Sequence, residues 1–120
     1  ISVVPSLDTP VCATQTSKFN EKVAAMGDSI NAGTVSVDTP FAQNRFCGET
    51  SVDNMVSASD YQTRNFGENW GMLIDELKLL ARGVFVLDAE GVVTHAETVP
   101  EVTDEPNYDA ALDALGKLTA

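Results

Sequence analysis

Cysteine is scarce in this chain, with two residues, Cys12 and Cys47, and neither sits in a C-x-x-C pair. With one histidine besides, the sequence lacks the paired ligand spacings of a zinc site, and no metal is expected. Two cysteines are also too few for a disulfide-dense secreted scaffold. What remains is a redox pair, one structural disulfide or two unrelated thiols. Positive charge is scarce too: 7 Lys plus Arg stand against 18 Asp plus Glu, a formal net charge of −11. That balance argues against nucleic acid or an anionic membrane as partner and reads as a solvated acidic surface. No apolar run approaches the length of a membrane-spanning helix, and no signal peptide is visible. The first residue is Ile1, inside an apolar stretch that reads as a core strand, so the chain is expected to be incomplete at its N-terminus. Gly67 and Gly71 bound a turn, but no glycine-rich loop opens a helix in the way phosphate binding requires. There is no internal repeat and no low-complexity tract.

The stretch that organises the rest is Ile1 to Cys12. An apolar strand through Val4 runs into a tight polar turn, and a helix opens at its end. Asp8 or Thr9 can cap that helix, and Pro10 suits its first position. Cys12 then lies in the first turn, where unpaired N–H groups and the positive end of the helix dipole favour a thiolate. A buried cysteine that only fills space is the commoner fate of such a residue. The turn chemistry favours a reactive one.

At 120 residues and 43% hydrophobic content the chain reads as one folded domain, residues 1–120. The first helix is expected over about 10–25, with Cys12, Thr16, Phe19, Val23 and Met26 on one face and Gly27 as its stop. After a loop over 28–33, the alternating run 34–38 reads as a strand. Thr39-Pro40 repeats the cap-plus-proline signal and opens a short helix through Phe46, with Cys47-Gly48 at its end. Met55-Val56 reads as a short strand, and Ser59 and Asp60 as caps of a short helix through Phe66. A loop over 67–71 holds the single tryptophan, Trp70. Residues 72–80 fit a helical turn or an irregular segment equally. The run Gly83 to Leu87 is apolar throughout, as in a strand covered on both faces. A turn over 88–91 returns the chain as an antiparallel strand, 92–98. An acidic loop, 99–106, precedes a last helix, about 107–118, with Tyr108, Ala111, Leu112, Leu115 and Leu118 on one face. The order β-α-β-α-α-β-β-α implies an α/β fold, a central mixed sheet flanked by helices with a right-handed first crossover. A thioredoxin-like sheet fits that pattern.

Several stretches carry a resemblance. Pro5-x-x-x-Thr9-x-x-Cys12 has the spacing of the peroxiredoxin active-site motif, and Ser6-Leu7-Asp8-Thr9-Pro10-Val11-Cys12 resembles its thiol peroxidase branch, bacterial atypical two-cysteine enzymes. Pro40 to Gly48 is similar to that branch's resolving-cysteine motif. Ala81-Arg82 ahead of Val84 to Asp88 resembles the strand that carries its arginine, and Glu105 to Asp109 also matches. The resemblance covers nearly the whole chain. Relative to the family, the chain lacks an N-terminal hairpin and the first strand and helix. Thr39 stands where leucine is common, the loop over 28–33 is slightly longer, and Gly83 follows the arginine.

The resemblance implies a thioredoxin-like fold and a peroxidase acting on hydrogen peroxide and organic hydroperoxides. Cys12 would be the peroxidatic thiol and Cys47 the resolving one, closing an intrachain disulfide that thioredoxin reduces. It also implies a cytoplasmic homodimer without a cofactor. The residues suit that chemistry. A thiolate must attack in line with the O–O bond while donors hold both oxygens. The Thr9 hydroxyl both donates and accepts, Arg82 is permanently charged, and Pro5 shields the sulfur. Two other classes compete. A thioredoxin-like binding or regulatory module would use the cysteines structurally, and a general disulfide oxidoreductase is disfavoured by the missing C-x-x-C. Of the remaining candidates, His95 is expected at a solvent-facing strand position, and Trp70, Phe66 and Tyr108 in the core or at an interface. Arg45 and Glu49 flank Cys47 and are as well explained by a solvated surface.

Overall fold

Two crossovers lay down one half of the sheet. Strand β1 (Ser2–Val3) leads through helix α1 (Pro10–Met26) into β2 (Gly33–Ser36), and β2 leads through α2 (Pro40–Thr50) into β3 (Val56–Ser59). All three strands are parallel. The chain then forms α3 (Asn65–Asn69), a small hairpin β4 (Leu73–Ile74) and β5 (Leu79–Leu80), the antiparallel pair β6 (Gly83–Leu87) and β7 (Val93–Thr98), and α4 (Tyr108–Thr119). The sheet order is β3-β2-β1-β6-β7, with β1 and β6 antiparallel. This computed structural model describes residues 1–27, 29–101 and 103–119. Asp28 of the expected loop over 28–33 and Val102 of the expected acidic loop lie outside the described residues.

The two faces of the sheet differ in chemistry. Val3, Val35 and Phe85 cluster with Met72 and Leu80, and Phe66 and Trp70 pack against them. This face is covered by α3 and the β4–β5 hairpin, and Trp70 stacks on Phe66 at 5.1 Å and meets Phe85 edge-on at 5.0 Å. On the other face Val84 and Val86 pack with Phe19 of α1 and Ala111 of α4, with Tyr108 alongside. The three aromatics are thus half-buried and pack against the two core clusters. Further toward β3 that second face turns polar. Ser2 pairs in register with Thr34, and Thr34 with Ser57. Side chains of α1 and α2 meet this polar stripe, which sets both helices over one face, as right-handed crossovers in one direction require.

Most expected elements form, with boundary shifts that have identifiable causes. The first crossover helix buries Cys12, Thr16, Phe19 and Val23 as expected, and Gln15 in addition. The second does not stop at Cys47-Gly48. It runs to Thr50 and ends where Ser51 takes φ +57° and donates its N–H toward the end of α2. Asp60 caps the third helix from further upstream than expected. That helix is Asn65–Asn69, and the Asp60 carboxylate accepts from the N–H groups of Phe66 at 3.0 Å and Gly67 at 2.8 Å. Residues 67–69 are therefore helical, and 72–80 resolves into the β4–β5 hairpin. His95 is not solvent-facing. It pairs with Val86, shares the face that α4 covers, and is half-buried with its Nε2 enclosed.

Gly83 is explained by close approach. A Cβ there would stand 2.5 Å from the Met72 methyl and 2.6 Å from the Glu97 carbonyl oxygen. The methyl can move, but the strand carbonyl cannot. Gly83→Ala is expected to lower unfolding stability by roughly 1–3 kcal/mol, read as a drop in urea midpoint. An unchanged midpoint would show that β6 and β7 separate freely there.

Candidate active site

The strand–turn–helix at the start of the chain places Cys12 at the third helical position of α1. Thr9 is the N-cap residue, extended at φ −112° and ψ 149°, and Pro10 follows. Its side chain makes no capping bond. The Thr9 hydroxyl instead donates to the Ser6 carbonyl at 2.9 Å, which leaves its oxygen as an acceptor. The N–H groups of Val11 and Cys12 have no carbonyl one turn back within α1, so that end of the helix offers donors to an anion. Cys12 is 0% exposed and clusters with Val4 and Leu7, with Phe46 of α2 packed against them. Pro5 is buried beside Val4. Of the expected set, Pro5 and Cys12 are buried and Thr9 is exposed at the mouth of the helix.

Arg82 reaches the same helix from the far side of the sequence. It is 1% exposed, and its Nη1 donates to Gln15 Oε1 at 2.9 Å. Gln15 lies three residues after Cys12, so it shares that face of α1. Its Nε2 donates in turn to Ser2 Oγ at 2.8 Å and toward the Val3 carbonyl at 3.5 Å. A permanent positive charge is thereby buried against the helix that carries the thiol. Both amide ends of Gln15 are used, and sequence reasoning missed this residue because a glutamine in a helix ordinarily reads as solvated.

Cys47 is placed elsewhere. It is half-buried on α2, with its sulfur 3.3 Å from Ser57 Oγ of β3. Both cysteines are free thiols. The two thiols thus sit on different helices, Cys12 against Val4 and Leu7 and Cys47 against Ser57. Asp38 is a second residue that sequence reasoning missed. Its carboxylate accepts from Ser6 Oγ, the Leu7 N–H and Ser36 Oγ, each at 2.7 Å, and its carbonyl accepts from Ser59 Oγ. Arg45 approaches Asp8 at 3.9 Å on an exposed surface, and Glu49 is exposed.

Beside the α1 N-terminus, Glu105 accepts from Tyr108 Oη at 2.7 Å and pairs with Lys18 at 3.2 Å, while the Lys18 ammonium lies 4.9 Å from the centre of the Tyr108 ring. The Tyr108 hydrogen bond, then that of Lys18, holds the Glu105 carboxyl below its ordinary range. Burial and the Glu105 bond push the Tyr108 hydroxyl well up. A shallow cleft of about 320 Å³ opens here between Pro10, Val11 and Thr14 of α1 and residues 103–105. A larger one, about 450 Å³ and lined by Ile1, Phe19, Val86 and Leu115 among others, lies at the opposite end of β1 and β6 from Cys12. No cluster suited to a metal ion occurs among the described residues. Nor, among them, is any helix long and apolar enough to cross a membrane.

Residues 1–112 match the Redoxin family. The chain is 51% identical over 118 residues to a thiol peroxidase of Bacillus subtilis, covering 98% of this chain and 70% of that one. The chain belongs to the redoxin family, in its thiol peroxidase branch. A thiol peroxidase of Staphylococcus haemolyticus is 52% identical over 114 residues, 95% of this chain and 68% of that relative. Among solved structures, a peroxiredoxin-like protein of Aquifex aeolicus superposes with a TM-score of 0.91 at 46% identity, covering 98% of this chain and 69% of that one. A thiol peroxidase of Chromobacterium violaceum shares the fold at TM-score 0.82 with 19% identity. The α/β fold is thioredoxin-like, as the sequence resemblance implied.

The Gln15 bridge generates a direct test. Gln15→Leu keeps the volume but removes an acceptor from buried Arg82 and a donor from Ser2. It is expected to cost roughly 1–3 kcal/mol, measured by urea unfolding. A stability equal to the parent's would show that Arg82 needs nothing from α1.

Proposed function

We propose that this redoxin-family chain is a thiol-dependent peroxidase in which Cys12 is the peroxidatic thiol. The observation that carries the reading is Cys12 in the first turn of α1, on the helix face that binds buried Arg82 through Gln15. The donors at that helix end and the guanidinium stabilise charge on a departing oxygen. The Cys12 thiolate attacks one oxygen of a hydroperoxide, the O–O bond breaks, and water or an alcohol leaves with the added proton. Cys12 is oxidised to a sulfenic acid as the peroxide is reduced. The Thr9 oxygen, whose O–H donates to the Ser6 carbonyl, accepts from the peroxide O–H. Pro5, Val4 and Leu7 keep bulk water from the sulfur.

Cys47 is the resolving thiol in this reading. Its sulfur attacks the sulfenic sulfur, an intrachain disulfide forms and water leaves. In this reading the two helices that carry the thiols unwind in part to bring the sulfurs together, so the disulfide form is strained relative to the dithiol and open to reduction by a dithiol such as thioredoxin. Hydrogen peroxide and organic hydroperoxides are the substrates. A homodimer and a cytoplasmic location complete the reading. The site needs no cofactor, since every electron transferred comes from thiols. A binding module with structural cysteines is disfavoured by the thiol peroxidase relatives at about half identity and by two cysteines left unpaired.

The decisive experiment pairs two serine variants. Cys12→Ser is expected to abolish peroxide turnover, because a hydroxyl without a base is a poor nucleophile. Cys47→Ser is expected to reduce one equivalent of peroxide and stall as sulfenic acid, open to further oxidation. Sustained thioredoxin-coupled turnover by Cys47→Ser would remove Cys47 from the cycle, and activity in Cys12→Ser would name the wrong sulfur.

Arg82→Met is expected to slow single-turnover oxidation about 10²-fold or more, as loss of a transition-state donor does. The lost donor is not replaced by raising the pH, so the deficit is expected to persist across the profile. Matching rate–pH profiles for variant and parent would make Arg82 purely structural.

A further inference from the structure

A carboxylate sits behind the turn that leads into α1. Asp38 lies between β2 and α2 and is half-buried. Ser6 Oγ donates to its Oδ1, and the Leu7 N–H and Ser36 Oγ donate to its Oδ2, each at 2.7 Å. Gln43 Nε2 donates in turn to Ser36 Oγ at 3.0 Å. These donors are all neutral, and no ion pair among the described residues includes Asp38. Hydrogen bonds to an ionised acceptor are about twice as strong as neutral ones, so the carboxylate orients and polarises the groups that point at it.

One of those donors bears on the chemistry. The Leu7 N–H belongs to the same planar peptide unit as the Ser6 carbonyl, and in a trans peptide the two point in opposite directions. Asp38 holds the N–H end. The carbonyl end accepts from the Thr9 hydroxyl at 2.9 Å and from the Thr9 N–H at 3.3 Å. The tilt of one peptide plane, fixed from behind by a carboxylate, therefore decides where the Thr9 proton points. Charge on Asp38 also makes the Ser6 carbonyl a stronger acceptor, since hydrogen bonds in a chain reinforce one another. The Thr9 hydroxyl, exposed at the mouth of α1, keeps its oxygen as an acceptor.

We propose that Asp38 is a positioning residue for peroxide capture, holding the Thr9 hydroxyl in its accepting orientation through the Ser6–Leu7 peptide. The inference rests on the reading of Cys12 as the peroxidatic thiol and of Thr9 as the acceptor for the peroxide O–H. Asp38 itself touches neither the sulfur nor the peroxide. A Thr9 hydroxyl released from Ser6 turns its proton toward the peroxide part of the time. The peroxide proton then has no acceptor there, and the O–O bond is no longer held in line with the sulfur. The cost falls on the oxidation of Cys12, and not on reactions of the same thiol that need no acceptor at Thr9.

The test compares two reactions of one thiol in the whole chain. Quenched-flow mass spectrometry gives the single-turnover rate of Cys12 oxidation by hydrogen peroxide. Peptide mapping after iodoacetamide gives the rate of Cys12 alkylation. Asp38→Asn keeps the shape and removes the charge. Its amide oxygen still accepts from Leu7, and the Ser6 hydroxyl turns to accept from its NH2. Oxidation is expected to slow about tenfold, as a charge-assisted chain becomes a neutral one, with alkylation at the parent's rate. Thr9→Val is expected to slow oxidation further. Asp38→Asn added to Thr9→Val is expected to cost nothing more, because the hydroxyl it positions is gone. Parent-like oxidation in Asp38→Asn overturns the proposal. Equal slowing of oxidation and alkylation overturns it too, as does an Asp38→Asn effect of the same size with and without Thr9. Each would make Asp38 a support for the helix end as a whole. Loss of the fold in Asp38→Asn has the same meaning. Cys12→Ser run alongside keeps the premises apart. Turnover in Cys12→Ser, or parent-like oxidation in Thr9→Val, removes the underlying reading and the proposal with it, whereas a failure confined to Asp38→Asn leaves that reading in place.

Discussion

A buried polar seam between helices and sheet is the constraint on which the rest depends. Gln15 meets Ser2, Gln43 meets Ser36, and Cys47 meets Ser57, all on one face of three parallel strands. Buried hydrogen-bonding groups tolerate little displacement, because an unpaired one costs its full desolvation. Apolar packing alone would allow α1 and α2 to slide along the strands. The seam fixes their register, and with it the positions of both thiols.

Arg82 shows how a distant segment is brought to account at this seam. The Ala81 N–H donates to the Met72 carbonyl at 2.6 Å, and the Val99 N–H donates to the Arg82 carbonyl at 2.9 Å. The arginine backbone is thus pinned on one side by the hairpin and on the other by the end of β7, just before Gly83 lets the strands close up. The guanidinium is then aimed by geometry rather than by flexibility. In a chain of net charge −11, buried positive charge at one helix end is a local exception to the surrounding field.

Much of this was legible in the sequence because local signals agreed with the fold. Pro5, Thr9 and Cys12 lie in one turn, so their spacing alone described their geometry. Thr39 does cap α2, accepting from Ala42 at 3.4 Å, as the cap-plus-proline pattern implied. Arg82 became readable only through family resemblance, since no local pattern links it to Cys12. The misses have physical reasons. Gly48 suggested a helix end, but the left-handed residue is Ser51. The hairpin over 73–80 has two-residue strands, and its turn places Lys78 at φ +56°, a position where glycine or asparagine gives the usual warning. His95 was assigned to the wrong face because alternation fixes the period of a strand and not its phase, which the pairing with Val86 decides. Gln15, Asp38 and Gln43 act through tertiary partners, and a polar residue on a helix or at a strand end carries no mark of that.

The single tryptophan sits on the face of the sheet away from the thiols. Wedged between Phe66 and Phe85, Trp70 is an intrinsic fluorophore whose surroundings belong to α3 and the hairpin. Its emission reports on the melting of that layer. That layer carries neither thiol, so a label-free optical probe is built into the half of the domain that the cysteines do not occupy.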